Sequence, residues 1–88
     1  MLYLARELHS PTGEISRNAV VEVLQGIVNN IYSFAGEMHS MLLVDEIFLS
    51  FQDNLKSLSD IKNISHSVGN GRLYAYLPNV DGELALAV

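Results

Sequence analysis

Residues 41–58 read Met-Leu-Leu-Val-Asp-Glu-Ile-Phe-Leu-Ser-Phe-Gln-Asp-Asn-Leu-Lys-Ser-Leu, and the spacing of the apolar residues in this segment sets the expected architecture. Met41, Val44, Phe48, Phe51, Leu55 and Leu58 recur at alternating steps of three and four. That spacing lines up one apolar stripe on an α-helix. Asp45, Gln52, Asp53, Lys56, Ser59 and Asp60 supply a polar face, and Leu42, Leu43, Ile47 and Leu49 add apolar surface off the stripe. The first half of the segment is therefore apolar over most of its circumference. A helix of that kind sits at the centre of a core or crosses a subunit interface.

The same spacing extends upstream. Val20, Leu24, Ile27, Ile31, Phe34, Met38 and Met41 also recur at three and four, which predicts a preceding helix that starts between residues 11 and 17. Ser10 and Ser16 compete as its cap, with Pro11 suited to a first helical position. Val20, Val21, Val23 and Val28 oppose a helix, since branched side chains lose rotamer freedom there. A strand over residues 19–24 is thus the competing reading. Asn29, Asn30 and Gly36 allow a break between the two helices, and a hairpin of helices is preferred to one helix of about 60 Å at 1.5 Å per residue.

The ends read as β-structure. Leu2, Leu4 and Leu8 share one side of an extended segment, interrupted by Arg6. After an exit loop at residues 65–71, Leu73 to Leu77 and Glu83 to Val88 flank Pro78-Asn79-Val80-Asp81-Gly82, a turn in which Asp81-Gly82 suits positive φ. The expected fold is α+β: two central amphipathic helices followed by a C-terminal β-hairpin, with a short N-terminal strand able to join the same small antiparallel sheet.

The 88 residues make one domain, with 49% hydrophobic residues and a net charge of −5. A chain this short has little interior, so part of that apolar surface is expected to be covered by another subunit. The acidic balance disfavours phosphate backbones and anionic membranes. The absence of cysteine excludes disulfides and thiolate chemistry. Arg6 and Glu7 break the apolar N-terminus too early for a signal peptide, and no uncharged run approaches a membrane span. A cytoplasmic protein is expected.

No chemical motif stands out. His9, His39 and His66 show no HxH, HxxxH or ExxH spacing, so no metal site and no cofactor is expected. Glu37 and His39 would diverge on a helix, as would Asp45 and Glu46. Serines next to His39 and His66 lack a GxSxG elbow, so no catalytic residue is assigned. Gly69-Asn70-Gly71-Arg72 resembles an anion nest but leads into a strand and lacks the Walker pattern.

These observations point to a non-catalytic protein–protein interaction protein, either a homo-oligomeric adaptor or an inhibitor or immunity-type protein. It would act through an apolar helix face formed by Met41, Leu42, Leu43, Ile47, Phe48, Leu49 and Phe51. The alternative is a small-ligand or nucleotide-binding domain, with Arg72, Tyr74 and Tyr76 lining a pocket between helix and hairpin or between subunits.

Overall fold

A computed structural model describes residues 1–36, 40–63 and 71–88, with the backbone alone at 62–63. The elements are β1 (Leu2–His9), β2 (Ile15–Leu24), β3 (Ile27–Ser33), β4 (Met41–Ser50), α1 (Leu58–Asn63), β5 (Tyr74–Pro78) and β6 (Leu84–Leu86). They form one mixed sheet in the order β3-β2-β1-β4-β5-β6. β1 and β4 are parallel neighbours and the other pairs are antiparallel.

Among the described residues the two central helices expected from the spacing are absent, and the architecture is nearly all β. Residues 15–33 are a β-hairpin, and the segment over residues 41–58 is a strand up to Ser50. Three local causes override the helical period. Gln25 and Gly26 carry φ of 50° and 83°, the pair of left-handed residues that a two-residue hairpin turn requires. The branched residues of β2 and β3 then fit a pleated surface better than a helical one. β4, in turn, buries side chains on both faces, so alternation is lost and a near-continuous apolar run results.

A break in the pleat adds to the confusion. The main core contains Tyr3, Ala5 and Leu8 of β1, and Ile47 and Leu49 of β4 with Val44 packed against them. Inward positions thus step by two, except from Ala5 to Leu8 and from Val44 to Ile47. Both three-residue steps fall at the level of Arg6 and Asp45, which form an ion pair at 3.7 Å. Asn18, with φ of 54°, lies at the same level between the register pairs Ala5–Ala19 and Glu7–Arg17. A step of three in a strand imitates one turn of helix.

The sheet curls until β3 meets β5. Ile27 pairs with Tyr74, the Val28 N–H donates to the Leu73 carbonyl at 2.8 Å, and the Ala75 N–H donates to the Gly26 carbonyl at 2.9 Å. Strands β1 to β5 therefore close on themselves at one end around Val21, Val23, Ile47, Leu49 and Ala75. The C-terminal hairpin is present, and Ala87 beyond it enters this core. A second cluster lies on the opposite face of β4 and β5, where Leu55 joins Tyr74 and Tyr76, with Phe48 and Ile61 against them. The helical content among the described residues is α1 alone, and no helix there is long and apolar enough to cross a membrane.

Candidate functional site

The seven residues expected to share a helix face divide between the two faces of the sheet. Ile47 is fully buried and Leu49 nearly so, both in the main core. Phe48 belongs to the second cluster, while Met41 and Phe51 are partly covered. Leu42 and Leu43 remain open, 48% and 69% exposed. No apolar helix face exists here, and whatever binds at β4 meets a strand.

Leu43 does not stand alone. Its register partner on β1 is Leu4, which pairs with Val20 of β2, which pairs with Tyr32 of β3. Paired residues on neighbouring strands point the same way, so the four make an apolar row across the outer face. Val20 is buried within it, while Tyr32 at 46% and Leu43 at 69% are exposed at its two ends. The adjacent row holds Arg6 and Asp45, both highly exposed. A shallow depression of about 420 Å³ joins the two rows, lined by Leu4, Arg6, Asn18, Leu43, Val44 and Asp45.

The alternative ligand set is arranged otherwise. Tyr74 and Tyr76 are buried in the second cluster. The Tyr76 hydroxyl donates to the Gln52 carbonyl at 2.8 Å and accepts from the Leu55 N–H at 3.2 Å. Burial raises the pKa of this phenol above its ordinary value, against a smaller opposing effect of the Leu55 hydrogen bond. Arg72 is exposed. The tyrosine rings thus serve a core. Residues 69 and 70 of the suggested nest, His39, His66, Met38 and the exit loop at 65–70 lie outside the described residues.

One constellation escaped the sequence reading. Glu7 and His9, two apart on β1, and Glu46 of β4 each offer a ligand atom, and these atoms all lie within 4.8 Å of one another. His9 Nε2 stands 3.1 Å from a Glu46 oxygen and 3.6 Å from Glu7 Oε1. The other Glu7 oxygen, Oε2, accepts from Arg17 at 3.1 Å. The His9 ring stacks on Phe48 at a centroid distance of 4.2 Å. The signal was Glu-x-His, which shares a face only if the segment is a strand.

Comparison with known proteins finds no match among family models, curated proteins or solved structures.

Proposed function

We propose that this protein is a non-catalytic β-sheet interaction module whose partner is a second copy of itself, docked through the outer apolar row. The observation that carries the reading is Leu43, a large apolar side chain 69% exposed in register with Leu4, Val20 and Tyr32. Covering one such leucine stabilises a complex by about 1.5–3 kcal/mol. The rim favours a like partner. Arg6 and Asp45 flank the row with opposite charges, and a two-fold axis through the row would set Arg6 of each copy against Asp45 of the other. A face with both signs on its rim suits a copy of itself, despite the net charge of −5. The margin of β4 before Phe48, which is not paired to β5 among the described residues, is less suited, because Asp45, Glu46 and the nearby Pro78 are residues that discourage strand addition.

Sedimentation velocity tests the reading. The wild type is expected to sediment as a dimer at micromolar concentration. Leu43→Asp is expected to sediment as a monomer with an unchanged far-UV circular dichroism spectrum, since the residue is outside both cores. A wild type that stays monomeric into the submillimolar range, or a Leu43→Asp variant that still dimerises, refutes it.

A further inference from the structure

We propose that Glu7, His9 and Glu46 form a binding site for a divalent transition-metal ion, with zinc the best match to the donor set. Zinc takes imidazole nitrogen and carboxylate oxygen at about 2.0–2.2 Å in tetrahedral geometry, which places neighbouring ligand atoms roughly 3.4 Å apart. The separations from His9 Nε2 bracket that value, at 3.1 Å to Glu46 and 3.6 Å to Glu7.

Three further features fit an ion. His9 Nε2 is a buried atom with no hydrogen-bond partner, although two carboxylates stand beside it. A buried polar atom without a hydrogen bond is costly, and an ion between the three groups would satisfy it. Second, the ligands are held firmly. Glu7 and Glu46 are register partners on adjacent parallel strands, and His9 and Phe48 are partners two positions on, so the stack on Phe48 fixes the imidazole plane. Third, Arg17 binds Glu7 Oε2, not the Oε1 that stands 3.6 Å from His9. That leaves Oε1 for the ion and supplies the outer hydrogen bond that orients a metal-binding carboxylate. Glu7 and Glu46 remain partly exposed, which gives water access to the fourth position. The ion would clip β1 to β4, the one parallel pair among the described strands.

The test uses the full chain, stripped with a chelator and titrated with zinc chloride in a calorimeter. One ion per chain is expected to bind, with a rise in the thermal unfolding midpoint, because a ligand selective for the folded state stabilises it. His9→Gln and Glu46→Gln are each expected to abolish the stoichiometric step. Glu46→Gln is nearly isosteric and partly exposed, so circular dichroism will show it folded. Arg17→Gln is expected to weaken binding by roughly 10- to 100-fold. A double His39→Gln, His66→Gln variant is expected to bind as the wild type does, and so is Leu43→Asp, which separates this site from self-association. Absence of a stoichiometric step, its survival in both His9→Gln and Glu46→Gln, or its loss in the His39, His66 double variant overturns the assignment.

Discussion

Tyr76 holds Leu55 in place through its hydroxyl, which accepts the Leu55 N–H at 3.2 Å while donating to the Gln52 carbonyl at 2.8 Å. One buried side chain of β5 thus satisfies two backbone groups of the segment that covers the second core. Tyr76→Phe keeps the ring and strands both groups, at a cost of about 1–3 kcal/mol. For a chain of this size that lowers the thermal midpoint by about 4–8 °C per kcal/mol, measured at fixed protein concentration. Burial also raises the Tyr76 pKa above 10.0. The unfolded phenol ionises first, so its contribution is intact below pH of about 10 and is lost as pH rises through the folded value. Urea denaturation from pH 8 to 11 should show this decline in the wild type and a smaller one in Tyr76→Phe.

The Gln25-Gly26 turn predicts a pair of substitutions with opposite signs. Gly26 has φ of 83°, and a Cβ there would meet Leu86 at 3.1 Å. Gly26→Ala therefore meets backbone strain of about 1–2 kcal/mol together with a crowded neighbour. Gln25 has φ of 50°, a conformation that asparagine tolerates better than glutamine. Gln25→Asn makes the Asn-Gly pair preferred in such turns, and is expected to raise the denaturation midpoint slightly while Gly26→Ala lowers it.

That turn also shows where the sequence misleads. Leu24-Gln25-Gly26-Ile27 sits inside a run whose apolar residues keep a period near 3.5 through Val20, Leu24, Ile27 and Ile31, so a local hairpin signal is outvoted by a longer coincidence. The similar period over Met41 to Ser50 has a cause of its own, since β4 has Ile47 and Leu49 on one core and Phe48 on the other. With both faces apolar, period two leaves no trace. The C-terminal hairpin was legible because its turn chemistry and its alternation agree. Of the four apolar residues read as surplus, Leu42 and Leu43 are exposed, whereas Ile47 and Leu49 are buried in the main core. The trio of Glu7, His9 and Glu46 was not, because only the parallel pairing of β1 with β4 brings Glu46 to His9.

Asp60 marks a helix start that the stripe over Met41 to Leu58 conceals. Ser57-Leu58-Ser59-Asp60 has capping-box spacing, and the Asp60 carboxylate accepts the Ser57 N–H at 3.1 Å and the Lys56 N–H at 2.7 Å. These two bonds, with Lys56 the larger cause, lower the Asp60 pKa below 3.8. The sign follows from the depressed folded value: the stabilisation is present above the unfolded pKa and is lost as pH falls through the folded one. A carboxyl titration followed by carbon NMR should place the Asp60 midpoint below the ordinary aspartate range. Asp60→Ala should speed amide exchange at Lys56 and Ser57, because it removes their acceptor.

Leu43 and Leu49 lie on the same strand and face opposite fates. Leu49 is 5% exposed in the main core, where its register partner Ala75 is fully buried. Leu49→Asp places a carboxylate there with no partner, and burying an unpaired charge costs more than a small domain's whole stability margin of about 5–15 kcal/mol unless the group stays neutral or the core opens. It is expected to lose the cooperative thermal transition. Leu49→Ala removes only volume, costing about 2–5 kcal/mol, and should retain a cooperative but earlier transition. Leu43→Asp keeps its charge in water and should unfold cooperatively at a midpoint lowered only by the lost association. The comparison separates two reasons for an apolar residue in β4: if Leu43→Asp unfolds as completely as Leu49→Asp, the outer row is part of the core and not a docking face.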